Sequence, residues 1–351
     1  MTVGELGLNG AGKTNIVVTG ASGFVGSHAL MALWRGLGER RGDLVAACRD
    51  QDRLPSGYGG AVAIGDLNDP DYRRTLVQNA DVVIHAAAWT SLFGHKKQSD
   101  RLFLKPSLAL LEDAVQAGVG RFIQVSSTSA APPSLAANAD APGRAPAFWP
   151  HLGNVVAIED AMRRHATGKT SMVTLRLGLF TGERYGLGLL PILVPRMKSY
   201  LVPWVAGGKT PMPLIAGEDI GAAFLQATVT QGLAGYEGFN IVGPSTPTVR
   251  EVIGYLAKTY RLPKPWFSVP FALAHVFALS MEAVAKLTPW DPFITRSIVY
   301  LLRDFQVSNE KAERVLGYRP KIDWKNALDR QMAEMSVRQT SPMAMAKPLT
   351  R

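Results

Sequence analysis

The segment that decides the fold is 15-NIVVTGASGFVGSHALMALWRG-36, an apolar run that reaches three glycines and continues as an amphipathic helical pattern. Gly20 suits a tight turn after a strand, and Gly23 would let the backbone approach a pyrophosphate. Gly26 would let the following helix pack on the strand, with its first N–H groups aimed at the phosphates. The pattern therefore predicts a dinucleotide-binding site between a strand and a helix.

Around this motif, short apolar runs alternate with segments of helical length as far as about residue 180. The runs are NIVVTG (15–20), LVAAC (44–48), AVAIGDL (61–67), DVVIHAA (81–87), RFIQVSS (121–127) and MVTLRLG (172–178). This alternation predicts an α/β Rossmann fold, a doubly wound parallel sheet with helices on both faces, and a smaller C-terminal substrate lobe after it. The expected segments are a flexible tail over 1–14, the dinucleotide-binding domain over 15–183, mostly substrate lobe over 184–335, and a flexible tail over 336–351.

Composition bounds the class of protein. The chain has 351 residues, of which 47% are hydrophobic, and a net charge of +10. Cys48 is the single cysteine, so an internal disulfide is ruled out and a reducing, cytoplasmic location is expected. The basic residues are scattered, which predicts no nucleic-acid partner. Neither a secretory leader nor a membrane span is predicted, and the histidines have no metal-ligand spacing.

A second nucleotide motif, 7-GLNGAGKT-14, satisfies the P-loop pattern in the wrong context. A P-loop follows a strand and opens a helix, whereas this one follows six terminal residues and precedes a strand. We therefore assign it no role in binding a nucleotide.

The second predicted strand ends in 48-CRD-50, and these residues bear on the choice of cofactor. In Rossmann folds an acidic residue near this point binds the ribose 2′-hydroxyl of NAD, whereas an arginine accommodates the 2′-phosphate of NADP. Arg49 directly follows the strand and Arg53 lies nearby, so NADP(H) is favoured. Asp50 keeps NAD(H) open as the alternative.

Further motifs follow in the order found in a known family. They are TGASGFVG (19–26), GDLND (65–69), HAAA (85–88), RFIQVSS (121–127), LRLGLFTGE (175–183), EDIGAAF (218–224) and EKAERVLGYRP (310–320). With these motifs the chain, over about residues 15–335, resembles the extended short-chain dehydrogenases/reductases of the NAD-dependent epimerase/dehydratase family, in the style of 3β-hydroxysteroid dehydrogenases and dihydroflavonol reductases. The cofactor-binding residues that the resemblance implies are Gly20, Ser22, Gly23, Phe24, Val25, Gly26, Arg49, Asp66, Leu67, Ala86, Ala87 and Ala88.

The catalytic part of the resemblance is incomplete. The family uses a tyrosine as general acid or base and a lysine one helical turn later, which lowers the pKa of the tyrosine. No tyrosine occurs between Tyr72 and Tyr185. Alignment on the family's glutamate, at Glu159, puts His151 at the tyrosine position and Val155 at the lysine position. A valine cannot supply the missing positive charge.

Two residues remain as catalytic candidates, Ser127 and His151. Ser127 occupies the position of the family's catalytic serine, whereas the upstream asparagine is replaced by Phe103. His151 could carry a proton near neutral pH, because the unperturbed pKa of imidazole is about 6.5. The alternative is that His151 only caps or packs the start of a helix. The segment 95-HKK-97 could supply a charge, although a solvated loop is the plainer interpretation.

Aromatic residues near the expected mouth of the sheet indicate an apolar ligand. Trp89, Phe93, Trp149 and Phe180 are the candidate residues of a substrate pocket. The apolar stretch 265–290 predicts a buried helix of the lobe or a homodimer contact, with docking on a membrane surface as the less favoured alternative.

Two functions follow from this pattern. The first is an NADP(H)-dependent oxidoreductase that acts on a hydrophobic small-molecule carbonyl or alcohol with a non-standard catalytic apparatus. The second is a non-redox enzyme (a cyclase, an isomerase or a lyase) or a ligand sensor that retains the cofactor site. The retained Ser127 favours the first, and the missing tyrosine and lysine favour the second.

Overall fold

A parallel sheet forms the centre of the molecule. The computed structural model describes residues 14–38, 44–130, 142–166, 169–184, 189–288, 292–303 and 307–340. The strands of the described residues are β1 (Ile16–Thr19), β2 (Leu44–Cys48), β3 (Ala61–Ile64), β4 (Val82–His85), β5 (Arg121–Ser127), β6 (Ser171–Leu177), β7 (Leu179–Thr181), β8 (Trp204–Val205), β9 (Leu214–Ala216), β10 (Tyr236–Ile241) and β11 (Ser268–Val269).

Helices connect these strands and form the layers that cover them. They are α1 (Phe24–Gly36), α2 (Pro70–Val77), α3 (Lys96–Ser99), α4 (Lys105–Gln116), α5 (Pro150–His165), α6 (Leu189–Lys198), α7 (Gly217–Val229), α8 (Val249–Tyr260), α9 (Phe271–Ala285), α10 (Arg296–Leu301), α11 (Glu310–Leu316) and α12 (Trp324–Thr340). A π-helical turn, Asp100–Leu104, joins α3 to α4. None of the described helices combines the length and the apolar composition that a bilayer span needs.

The strand order of the main sheet is β10-β6-β5-β4-β1-β2-β3, and every neighbouring pair is parallel. The chain runs outward from β1 to β3 and then returns to the other side of β1 as β4. This reversal leaves a crevice between the carboxyl ends of β1 and β4, where ligands bind in open α/β sheets. The predicted α/β Rossmann fold is confirmed.

Alternate residues along a strand supply the two faces of the sheet. On β4, Ile84 packs in a core cluster with Leu30 of α1 and Phe224 of α7. Its neighbour Val83 packs on the opposite face in a cluster with Leu110 of α4. Successive side chains point to opposite faces, and both faces of this sheet are covered. Each strand is therefore a continuous apolar run in the sequence.

The segments after residue 183 divide between the sheet and a second group of elements. β10 lies beside β6, and α7 packs against α1, so these two elements belong to the Rossmann domain. Helices α6 and α8 share a separate core cluster with Leu328 of α12. Residues 336–340, which the sequence assigned to a flexible tail, continue α12. The P-loop pattern lies outside the described residues, apart from Thr14.

Candidate cofactor and active site

The glycine-rich segment turns sharply at the carboxyl end of β1. Gly20 has φ of +66°, a conformation that side chains other than glycine rarely adopt. A Cβ atom on Gly20 would lie 2.6 Å from the backbone N and Cα of Ala87, and a Cβ atom on Gly26 would collide with the carbonyl oxygen of Gly20. These two glycines are therefore required by the close approach of backbone to backbone.

Gly23 has a different role, because its surroundings are open. Its N–H donates to the carbonyl oxygen of Gly20 at 2.9 Å, and the nearest atom to an added Cβ would be that same oxygen at 3.3 Å. Gly23 is the exposed N-cap of α1 and makes no side-chain capping bond, while the next residues, Phe24 and Val25, are buried. Ser22 is half-buried beside them. The start of α1 thus presents backbone to solvent at the switch point, where an anion would be favoured.

A buried chain of hydrogen bonds runs beneath this turn. The His85 ring lies 2.7 Å from Thr19 Oγ1 through Nδ1 and 2.8 Å from Ser107 Oγ through Nε2. Ser107 donates its hydroxyl proton to the carbonyl oxygen of Phe103 at 2.6 Å, so it accepts from Nε2–H, and Nδ1 accepts from Thr19. Burial lowers the pKa of His85 to about 4, which keeps the ring neutral at pH 7.

The ends of β2 and β3 form the outer part of the crevice. Arg49 and Asp50 are exposed directly after β2, and Asp50 Oδ1 accepts the N–H of Asp52 at 3.1 Å. After β3, Asp66 is exposed and Leu67 is half-buried. Hydrogen bonds from the backbone and side chain of Asn68 lower the pKa of Asp66, and Arg49 adds to the shift. Arg49 therefore stands close enough to Asp66 for their charges to interact.

Ser127 ends β5, with Leu177 of β6 as its register partner. Its Oγ accepts the N–H of Ser129 at 3.2 Å, which leaves the hydroxyl proton for another acceptor. Ser127 is half-buried at the carboxyl edge of the sheet, one strand beyond Ala86–Ala88.

His151 lies in the first turn of α5, where Pro150 occupies the first helical position. The ring centroid of Phe103, on the π-helical turn, lies 5.1 Å from that of His151. His151 Nδ1 is buried and has no hydrogen-bond partner among the described residues. Burial lowers the pKa of His151 to about 4, and a backbone hydrogen bond to Trp89 opposes this shift only in part. The titration expected near neutral pH is thus displaced well into the acidic range.

The positions at which the sequence resemblance implies polar catalytic residues are apolar and buried. Phe103 is 2% exposed and Val155 is 6% exposed, and both belong to the core cluster on this face of the sheet. Lys96 forms an ion pair with Asp100 at 2.5 Å, on the turn that precedes Phe103. The charge of Lys96 is therefore engaged on its own helix.

The aromatic candidates divide into two places. Trp89 and Phe93 are half-buried in the loop after β4, and Trp149 donates its indole N–H to the carbonyl oxygen of Ser91 in that loop at 3.0 Å. Trp149 is itself buried, so it holds the loop in place and offers little surface to a ligand. Phe180 stacks on Phe24 at 5.9 Å, beside the glycine-rich turn.

A buried ionic network beneath the site was not predicted. Glu159 on α5 and Arg176 on β6 form a fully buried ion pair at 2.8 Å. Ser126 donates to the same carboxylate, and the Tyr236 hydroxyl donates to it at 3.0 Å. Burial disfavours the charge of Arg176, but the charge and hydrogen bond of Glu159 together with those of Tyr236 offset this and raise the Arg176 pKa. The sequence signal for this network is the lone arginine within the apolar strand 172-MVTLRLG-178.

Comparisons with known proteins place these features in context. The sequence profile of the NAD dependent epimerase/dehydratase family matches residues 16–259. A curated relative, a 4-hydroxy-2-methyl-3-oxo-4-farnesyl-3,4-dihydroquinoline-1-oxide ketoreductase from Stigmatella aurantiaca, is 22% identical over 320 residues, covering 89% of this chain and 94% of the relative.

Solved structures share the fold over nearly the whole chain. A nucleoside-diphosphate-sugar epimerase from Pseudomonas aeruginosa has a TM-score of 0.71 at 18% identity, covering 93% of this chain and 98% of that one. A UDP-glucuronic acid 4-epimerase from Bacillus cereus, in complex with NAD, has a TM-score of 0.70 at 19% identity, covering 92% and 99%.

Proposed function

This chain belongs to the NAD-dependent epimerase/dehydratase family, and on that premise we propose that it is an NADP(H)-dependent oxidoreductase acting on a hydrophobic small-molecule carbonyl or alcohol. The observation that supports the proposal is that a cofactor-type turn and an aromatic loop lie at the same edge of the sheet. The glycine-rich turn lies at the switch point, and the loop bearing Trp89 and Phe93 follows the neighbouring strand.

The choice of NADP(H) is supported by the residues after β2. Arg49 is exposed there, and a guanidinium pairs well with a phosphate. One carboxylate oxygen of Asp50, the residue that would favour NAD(H), already accepts a backbone N–H. The Bacillus cereus structure holds NAD, so the identity of the residues after β2, and not the shared fold, underlies this part of the proposal.

Within the crevice, the turn Gly20–Gly26 and the start of α1 would hold the pyrophosphate. Asp66 and Leu67 would flank the adenine, and Ala86–Ala88 would line the nicotinamide side. When bound, the nicotinamide supplies or accepts a hydride. The small side chains of Ala86–Ala88 suit this position because they leave room for a flat ring against the end of β4.

The catalytic residues of the chain would orient the substrate oxygen and handle its proton. Ser127 can donate its hydroxyl proton to that oxygen, and His151 Nδ1 can accept a hydrogen bond from a substrate hydroxyl. A pKa of about 4 makes the His151 imidazole a weak base and a scarce acid at pH 7. We therefore expect slower proton transfer than the family's tyrosine and lysine provide.

A hydrophobic substrate is supported by the apolar character of the site. Phe103 and Val155 make the neighbouring core apolar, and the half-buried Trp89 and Phe93 offer aromatic surface in the loop after β4. The Stigmatella aurantiaca relative acts on a compound whose name specifies an oxo group and a farnesyl chain. A prenylated or aryl ketone is accordingly the first substrate class to test.

The second candidate is a non-redox enzyme, namely a cyclase, an isomerase or a lyase, or a ligand sensor. The observation in its favour is the burial of Phe103 and Val155 at the family's asparagine and lysine positions. A neutral His151 beside them leaves Ser127 without a strong proton donor. Such a site can still bind a cofactor and a ligand together.

One experiment separates the candidates. Binding of NADPH is first measured by its fluorescence, and its oxidation is then followed by absorbance after addition of prenylated ketones, aryl ketones or a polar keto sugar such as fructose. We expect binding, with oxidation in the presence of an apolar ketone only. If NADPH binds but no ketone oxidises it, the second candidate becomes the preferred function. If NADPH does not bind, both candidates are contradicted.

A further inference from the structure

Helix α9 exposes an apolar face that no described element covers. Its large outward side chains recur at intervals of three and four residues, which places them along one side of the helix. Phe277 is 54% exposed and Leu287, just beyond the helix, is 88% exposed. The other exposed members are Leu273, Val276, Leu279 and Val284.

The opposite face of α9 is anchored by smaller residues. Ala274 and Ala278 are buried and pack in a cluster with Val205 and Val299. The one acidic residue of the helix, Glu282, is also buried and pairs with Arg296 at 2.7 Å. The helix therefore turns its acid inward and its large apolar side chains outward, the reverse of an ordinary surface helix.

The exposed surface continues into the segment before the helix. Trp266, which is 77% exposed, lies two residues ahead of β11. Because β8 and β11 are parallel and Trp204 is the register partner of Ser268, the residues preceding both strands lie at the same end. The exposed Tyr200 and Leu201 precede β8. We call Trp266, Leu273, Val276, Phe277, Val284 and Leu287 the docking face.

The exposed charged residues of the segment that carries α9 have one sign. Within residues 261–288 the exposed charged residues are Arg261, Lys264 and Lys286, and the only acid is the buried Glu282. A tryptophan and basic residues at the edges of an apolar face are typical of helices that lie in the plane of an anionic bilayer surface.

We propose that the docking face binds the surface of an anionic lipid bilayer, with α9 lying in the plane of the interface. A second copy of the chain fits less well. In a two-fold dimer the same patch meets itself, so Lys264 and Lys286 would meet only the basic exposed residues of the same segment in the other copy. Phospholipid headgroups instead complement both lysines at once.

The docking face lies on the reverse side of the helix that contacts the loop before α5, whose Trp149 is hydrogen-bonded to the loop of Trp89 and Phe93. His275 of α9 packs edge-to-face on Phe148 at 5.5 Å, and the Arg296 guanidinium held by Glu282 lies 4.7 Å from the centre of the Phe148 ring. One helix, about 10–12 Å across, thus separates the bilayer from this loop. Docking would bring a membrane-dissolved substrate to the mouth of the site, a consequence that rests on the proposed function.

Vesicle co-sedimentation tests the proposal without any turnover. The full chain is mixed with vesicles of equal parts phosphatidylcholine and phosphatidylglycerol, and with phosphatidylcholine vesicles alone. We expect binding to the anionic vesicles that weakens as salt is raised. Val276→Ser combined with Phe277→Ser should lower the partition coefficient about tenfold, a loss of about 1.4 kcal/mol.

The matched control is Val337→Ser on α12, where the valine is 66% exposed against 61% for Val276. It should bind vesicles like the wild type, and Lys264→Gln with Lys286→Gln should weaken binding to the anionic vesicles only. Absence of co-sedimentation, or an equal loss in the control, would overturn the proposal. A wild-type dimer that Phe277→Ser dissociates would also overturn it, because a second copy would then cover the face. NADPH binding measured without vesicles tests the proposed function separately.

Discussion

The two ends of the crevice differ in how closely their residues match the family's motifs. At the end formed by β1, β2 and β3, the motif glycines stand where backbone approaches backbone, and a side chain at Gly20 or Gly26 would displace the turn. At the end formed by β5 and α5, only Ser127 matches the family's catalytic residues. Phe103 and Val155 fill the neighbouring positions with apolar side chains.

The difference has a physical basis. The glycines of the turn are required by the fold itself, since no larger residue fits at Gly20 or Gly26. The fold does not require a tyrosine or a lysine at the catalytic positions. A buried charge there would also cost free energy unless it were paired. Phe103 and Val155 therefore pack well in the core, and the fold persists while the chemistry changes. The cofactor end is set by backbone geometry and the catalytic end by side-chain chemistry.

The largest effect is expected at the cofactor end. Gly23→Val should reduce cofactor affinity by at least about a thousandfold while the chain still folds, because the branched side chain would occupy the approach of the pyrophosphate. An added Cβ would meet the Gly20 carbonyl oxygen at 3.3 Å, a tight contact that a shift of a few tenths of an ångström would relieve, so the unfolding midpoint must be measured beside the affinity. The measurement is a fluorescence titration with NADPH, together with the unfolding midpoint.

The matched control for this substitution is Gly254→Val on α8, where an added Cβ meets nothing within 4 Å. It should bind cofactor like the wild type. If Gly23→Val were folded and bound NADPH normally, the assignment of the cofactor end would be wrong.

The next effect is expected at the catalytic end. If His151 handles the substrate proton, His151→Ala should lower kcat by about a hundredfold with little change in NADPH affinity. The double variant His151→Tyr with Val155→Lys should instead raise turnover of a generic ketone, since one helical turn separates the two positions. Steady-state kinetics on the same ketone measure both.

Unchanged kcat in His151→Ala would make His151 a structural residue, and the non-redox candidate would then be preferred. Phe93→Leu, which changes the loop after β4 without touching the proton donor, serves as a control and should affect KM more than kcat.

The sequence predicted the sheet and the glycine-rich turn far better than the surroundings of the catalytic candidates. Strand alternation and three glycines are local patterns, and they were enough to predict the parallel sheet and the turn at Gly20. Burial lowers the pKa of His151, and it involves packing against residues such as Phe103, nearly fifty residues away, which no local pattern reports. The ion pair of Glu159 and Arg176 likewise joins a helix to a strand. Its one signal in the sequence is the arginine within an otherwise apolar strand.

A smaller effect tests the outer part of the cofactor end. Arg49→Ala should weaken NADPH binding by about 1.5–3 kcal/mol, or roughly ten- to a hundredfold, and leave NADH binding nearly unchanged. Titration of both cofactors against both proteins gives the ratio. Arg35→Ala, at the last turn of α1, is the control and should alter neither affinity. An unchanged NADPH/NADH ratio in Arg49→Ala would leave NAD(H) as the preferred cofactor.

The smallest effect is expected where the two ends are joined, along the chain Thr19–His85–Ser107–Phe103. Burial lowers the pKa of His85 to about 4 in the folded state, below the unfolded value of about 6.5, so the unfolded chain binds the extra proton between these values. The contribution of the neutral His85 ring to the free energy of unfolding is complete above about pH 6.5 and is lost as the pH falls toward 4. Between pH 7 and pH 5.5 the wild type should therefore lose roughly 1 kcal/mol more of its free energy of unfolding than His85→Gln does. Urea unfolding across this range measures the difference, and His95→Gln, at an exposed histidine, should keep the wild-type slope. Equal slopes in the wild type and His85→Gln would show that the ring is not held neutral, and the two ends of the crevice would then lack this buried connection.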